Sequence, residues 1–182
     1  MNGTRRWWIL GLLGALVLFS LVLGGLTVAL RRERVDVGPP AEDVPAGSRT
    51  VELLLPGPEG ELVSEQREVL GGDSLELDVR RVVEELIRGS DTGLHPLPPT
   101  TRLLDVFFDG EGGVVLNFSD DLRTDHPGGS AAEMATVRCL VGTLAANFAS
   151  VDRVTVLVDG EQVPTLAGHA DLASPLRVDD YR

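Results

Sequence analysis

The chain has 182 residues, 16 arginines against 28 acidic residues, no lysine and one cysteine, with a net charge of −12. That length allows one domain plus extras. The acidic balance argues against a nucleic-acid partner, and the single Cys139 excludes an intrachain disulfide.

The first extra is the run Trp7–Leu30, "WWILGLLGALVLFSLVLGGLTVAL", which carries no charge. As a helix it reaches roughly 36 Å, enough to cross a bilayer. Arg5, Arg6, Trp7 and Trp8 flank one end and Arg31, Arg32 and Arg34 the other, as interfacial anchors do. A cleaved signal peptide is the rival reading, with Thr27 and Ala29 small enough for a cleavage site. The length of the run and the "RRER" that follows it favour an uncleaved anchor over residues 1–34. The N-terminus is expected in the cytoplasm, with the remainder outside the membrane. Residues 1–34 hold five arginines and one glutamate, whereas residues 35–182 hold 27 acids and 11 arginines. Residues 35–49, "VDVGPPAEDVPAGSR", are rich in proline, glycine and acid and predict a tether.

The folded domain is expected over residues 50–182, with its core at 50–161. "TVELLLPGPEGELVSEQREV" predicts a strand, a Pro/Gly turn and a second extended arm. "DSLELDVRRVVEELIRG" predicts a helix with Asp73 and Glu76 as a capping box and Gly89 as its stop. Leu75, Val79, Val82, Val83 and Leu86 form its apolar stripe. After the proline-rich loop "SDTGLHPLPPTT", residues 103–118 alternate with period two on both arms of a hairpin. Leu104, Val106 and Phe108, with Val114, Leu116 and Phe118, are the expected core set. "SAAEMATVRCLVGTLAANF" predicts a second helix opened by a Ser130–Glu133 capping box. Its stripe is Met134, Val137, Val141, Leu144 and Phe148. "RVTVLVDG" then predicts a strand with Val154, Val156 and Val158 inward. The fold class this implies is α+β: one small mixed sheet with two amphipathic helices on one face.

The hairpin region carries Asp105, Asp109, Glu111, Asp120 and Asp121. They spread over some five residues of strand, about 17 Å, too far apart for a shared metal or an acid–base pair. "SDDLRTDHPGGS" lacks the acid spacing of a calcium loop. His95, His126 and His169 have no zinc-ligand spacing. No catalytic, cofactor-binding or metal residue is assigned, and no cofactor or small-molecule substrate is implied. If the named strand residues face the helices, Phe107, Val115 and Leu157 face the other way, and Leu54 is expected to join them. These four are candidate interface residues. They await a cover from residues 162–182, from the second arm, or from another protein.

Three segments resemble the GerMN domain family of sporulation and spore germination. They are "VELLLPGPEGELVSEQREV", "VVEELIRGSDTGLHPLPPTTRLLDVFFDGEGGVVLNFSDDL" and "GGSAAEMATVRCLVGTLAANFASVDRVTVLVDGE", in the family's order and spacing. The resemblance covers about Thr50 to Glu161. It implies a fold related to ring-building motifs and a non-enzymatic interaction module of the bacterial envelope, with envelope proteins or further copies as partners. A wall-ligand-binding or metal-dependent hydrolytic domain is the alternative, and a cleft with converging polar groups would mark it.

Overall fold

The computed structural model describes residues 47–90 and 93–181. The Trp7–Leu30 run and most of the tether lie outside the described residues. Among the described residues no helix is long and apolar enough to cross a membrane.

The architecture is mixed α+β, but its strands form two sheets rather than one. β1 (Ser48–Pro56) and β2 (Leu62–Leu70) pair antiparallel as a separate two-stranded sheet. Helix α1 (Leu75–Arg88) follows. β3 (Leu103–Phe108) and β4 (Gly113–Phe118) form the expected hairpin. A short helix α2 (Asp121–Thr124) and the long helix α3 (Ser130–Asn147) lead to β5 (Arg153–Val158), which lies parallel to β4. β6 (Glu161–Gln162) and β7 (Leu176–Arg177) both pair antiparallel with β5, and a 3₁₀ turn closes the described chain at Val178–Tyr181.

One hydrophobic cluster joins both sheets to both long helices. The reason β1 does not join the larger sheet is chemical. Its free edge is occupied by polar side chains of α3: the Glu52 N–H donates to Asn147 Oδ1 (3.0 Å) and the Leu54 N–H to Thr143 Oγ1 (2.9 Å). Asn147 Nδ2 donates in return to the Glu52 carbonyl (2.6 Å). These contacts satisfy backbone groups that a neighbouring strand would otherwise take. Gly142 lets the helix come this close, because a Cβ there would meet Leu54 Cδ1 at 2.7 Å.

Several local expectations need correction. Ser74, not Asp73, caps α1, accepting the Leu77 N–H at 3.2 Å, while Gly89 ends the helix at φ 76° as expected. Ser130 and Glu133 form no capping box; Gly129 is the N-cap and makes no side-chain bond. Leu75 and Met134 fall outside their stripes and are exposed. A register shift between Leu103 and Asp105 turns Leu103 into the core and Leu104 out of it. A bulge adds one residue and so flips the alternation before it. Beyond the bulge, Val106, Val114, Leu116, Phe118, Val154, Val156 and Val158 are buried as the pattern requires. The tail past residue 161 is also part of the core, through Val163, Leu166, Leu172, Leu176 and Val178.

Replacing Thr143 with the isosteric valine strands the Leu54 N–H and should cost about 1–3 kcal/mol, visible as a lowered thermal midpoint. Asn147→Ala, which removes both a donor and an acceptor from β1, should cost at least as much. A midpoint unchanged in both variants would show that the helix does not hold that edge.

Candidate functional site

The carboxylates around the hairpin build turns. Asp109 Oδ1 accepts the N–H groups of Glu111 (2.7 Å) and Gly113 (2.8 Å), and Oδ2 accepts Arg153 Nη2 (3.0 Å). Those backbone bonds first, and Arg153 after them, hold its carboxyl below the usual carboxylate range. Asp105 accepts Asn117 Nδ2 (2.9 Å), and Asn117 Oδ1 accepts the Gly160 N–H (2.8 Å), which ties the β5–β6 turn to the hairpin. Asp121 accepts the Ser119 hydroxyl (2.8 Å) and Asp125 the Thr100 hydroxyl (2.6 Å). Among the described residues, no three His, Cys, Asp or Glu side chains are placed to hold one metal ion. Cys139 is buried in α3, and burial pushes its thiol up to about 12, so it is no nucleophile at neutral pH.

Two polar clusters were not legible in the sequence, and both fasten loops to α3. Glu133 is fully buried. Its Oε2 accepts the N–H groups of Ala167 (3.0 Å), His169 (2.9 Å) and Ala170 (2.8 Å), and its Oε1 contacts His169 Nδ1 at 2.8 Å. Burial opposes its ionisation, yet these donors prevail and hold its pKa down to about 2. His126 makes the second cluster. Thr136 gives its hydroxyl proton to the Pro96 carbonyl (2.5 Å), so it accepts from His126 Nε2 (3.0 Å). The bare Nδ1 then accepts the Gly128 N–H (3.0 Å). That arrangement needs a neutral ring, and burial lowers the imidazole pKa against the pull of Glu133. The only sequence signals were a Glu in a first helical turn and a His beside a Pro-Gly pair, both common at helix starts.

The interface candidates divide between the sheets. Phe107 and Val115 are direct cross-strand partners on β3 and β4, and Leu157 on β5 is opposite Asn117. All three lie on the face turned away from the valine core. Phe107 is 53% exposed, whereas Val115 and Leu157 are half-buried. The residues after 161 pair along β5 and leave Phe107 uncovered. Leu54 does not belong with them. It lies on the other sheet against Gly142, in a cleft of about 530 Å³ that Leu62, Arg138, Ala145 and Tyr181 also line.

Over residues 27–164 the chain matches the family model Germane, described as sporulation and spore germination. The chain belongs to the Germane family. Solved structures agree in fold. A "Putative Lipoprotein" from Clostridium perfringens is 25% identical, with TM-score 0.53, covering 78% of this chain and 95% of that one. The tandem GerMN domains of the sporulation protein GerM from Bacillus subtilis are 20% identical, with TM-score 0.60. That match covers 74% of this chain and 48% of the tandem, so the chain spans about half of it. The first GerMN domain of GerM alone is 20% identical, with TM-score 0.56, covering 71% of this chain and 97% of that one. No curated protein matches. For this Germane domain, the GerMN-like resemblance carried by the three sequence segments is therefore confirmed.

Acid should loosen both loop clusters, because both folded-state pKa values are depressed. His126 contributes stability that is complete above its ordinary 6.5 and fades as pH falls below it. Glu133 contributes stability that is complete above its ordinary 4.5 and fades towards about 2. The thermal midpoint should decline in those two windows. His126→Gln, which keeps a donor at the Nε2 position, should flatten the upper one. Glu133→Ala removes the acceptor of three N–H groups, of which that of Ala170 is buried, should cost about 1–3 kcal/mol, and should flatten the lower one.

Proposed function

We propose that this Germane protein is a membrane-tethered, extracytoplasmic interaction module without catalytic chemistry, acting in sporulation or germination. The family description supports the biological setting. The uncharged Trp7–Leu30 run supplies the anchor, with the N-terminus cytoplasmic. One related structure bears the name of a lipoprotein. Here a buried Cys139, the chain's one cysteine, cannot take a lipid, so attachment falls to the apolar run.

The observation that carries the interaction role is the Phe107–Val115–Leu157 stripe. A solvated sheet face is ordinarily polar at such positions. Here a half-exposed phenylalanine sits beside Val115, Leu157 lies two strands away on the same face, and nothing in the described chain lies over Phe107. Buried aromatics dominate the energy of protein contacts, so Phe107 is the anchor residue of the contact. Against the hydrolytic alternative, Asp105, Asp109 and Asp121 serve turns, Glu133, His126 and His169 serve loop clusters, and no metal cluster lies among the described residues.

Two experiments test this. Protease added to intact, wall-stripped cells should remove the domain, while the N-terminal run stays in the membrane fraction. A mature N-terminus near Leu30 would overturn the anchor. Phe107→Ser combined with Leu157→Ser should abolish crosslinking to envelope proteins and leave the melting midpoint nearly unchanged. A fall of several kcal/mol in stability would instead make the stripe part of the core, and a folded double variant that keeps every partner would remove the stripe from the interface.

A further inference from the structure

Among the described residues β2 has a neighbouring strand on one side only. It pairs with β1, and no described strand lies along its other edge. The direction of its backbone groups follows from β1. The N–H groups of Glu52 and Leu54 turn to α3, so Val51, Leu53 and Leu55 turn theirs to β2. Their partners are Arg67, Glu65 and Val63. Leu62, Ser64, Gln66 and Glu68 therefore present N–H and C=O groups to the open edge, and Leu70 its N–H, its carbonyl already accepting from Arg81 Nη1 (2.5 Å).

This edge, "LVSEQREVL", has nearly the same pattern read from either end. Laid antiparallel on a second copy with a two-fold axis at Gln66, Glu65 stands opposite Arg67, Val63 opposite Val69, Leu62 opposite Leu70 and Ser64 opposite Glu68. The backbone parity agrees with this axis, since Gln66, the Ser64–Glu68 pair and the Leu62–Leu70 pair all carry outward groups. Neighbouring registers fail. An axis at Glu65 sets Glu65 on its own copy and Val63 against Arg67. An axis at Arg67 sets two guanidiniums together and Val69 against Glu65. Charges on an edge strand commonly prevent sheet extension; here Glu65 and Arg67 already pair within one chain (2.7 Å), and only this register sets the pairs of the two copies head to tail instead of like against like. Val63 and Leu70, 45% and 60% exposed, gain apolar partners only in that register.

We propose that β2 is a self-association edge, and that two copies of this chain pair antiparallel through it about an axis at Gln66, giving a four-stranded β1–β2–β2–β1 sheet. Such a contact is isologous and closes as a dimer. The axis runs perpendicular to the sheet, so the α1 helices of the two copies lie on the same face. Arg67 keeps its own-chain contacts to Glu65, to Glu85 and to the Gly89 carbonyl, and Glu65 of the second copy adds to that network. The dimer requires neither the membrane anchor nor the Phe107 face, so its test is independent of both.

The register is the test. In the full chain in detergent, Gln66→Cys should form a disulfide-linked dimer under mild oxidation. A hydrogen-bonded antiparallel pair brings its Cα atoms to about 5.5 Å, within disulfide range. Wild type, with only the buried Cys139, should not. Ser64→Cys should not link to itself but should link to Glu68→Cys when the two variants are mixed. Gln66→Pro removes an N–H that points away from β1 and should weaken the dimer about tenfold or more in sedimentation. Gln66→Lys, which sets like charges on the axis and leaves every backbone group in place, should weaken it too, with an unchanged melting midpoint. A Gln66→Cys chain that stays unlinked, a Ser64→Cys chain that links to itself as readily, or a Gln66→Lys chain with the wild-type dimer fraction would each overturn the proposal.

Discussion

The structure depends on how α3 deals with the unpaired edge of β1. A two-stranded sheet is marginal by itself, and one flank of β1 would expose backbone donors beside an apolar core. Thr143 and Asn147, one turn apart, put an acceptor against each of two such donors. Because both come from a helix that also buries Val137, Leu140, Val141 and Leu144, the same contact seats Val51, Leu53 and Leu55 against the common core. Gly142 belongs to this arrangement. A mid-helix glycine costs roughly 1 kcal/mol relative to alanine, and here it lets Leu54 lie directly on the helix.

The opposite end of α3 carries the complementary device. Glu133 reaches into a loop rather than back to its own N-cap and gathers three backbone N–H groups of residues 167–170. His126 and Thr136 do the same for the proline-rich loop through the Pro96 carbonyl. A long loop without its own secondary structure keeps its place only if its polar backbone groups find partners. Here the partners are side chains of a single helix, so α3 fixes β1, the proline loop and the tail together.

Much of this was legible in the sequence, and the limits have identifiable causes. Period-two alternation located the hairpin and β5 because one face of each is buried, which is the case where alternation is informative. The GerMN-like segments carried the order of the elements. Sheet membership was not legible, since nothing in "VELLLP" says whether its edge meets a strand or a threonine and an asparagine from a helix 90 residues later. Leu104 went astray through a bulge, which adds a residue without a compositional mark. Glu133 went astray because a glutamate three residues into a helix fits a capping box equally well, and only the tertiary path of the tail distinguishes the two. The tail itself, "VPTLAGHADLASPLRV", has apolar residues at irregular spacing. Its burial comes from pairing to β5 and from the Glu133 cluster, neither of which has a periodic signature.

Edges and faces then separate into those the fold closes and those it leaves open. Side chains of α3 close the edge of β1. Arg80 closes part of β3, donating to the Leu103 carbonyl (2.8 Å) and the Leu104 carbonyl (3.0 Å). β6 and β7 flank β5. Arg81 takes the Leu70 carbonyl at the end of β2, and the outer edge of β2 before it and the Phe107 face remain. They lie on different sheets, so occupation of one leaves the other accessible. A domain that pairs with its own kind through one sheet and meets another protein through the other presents that second face twice per dimer. Two weak contacts linked in this way bind far more tightly than either alone when the spacing of the partners matches. On the two proposals above, such divalency gives a physical route from a modest apolar stripe to a stable assembly.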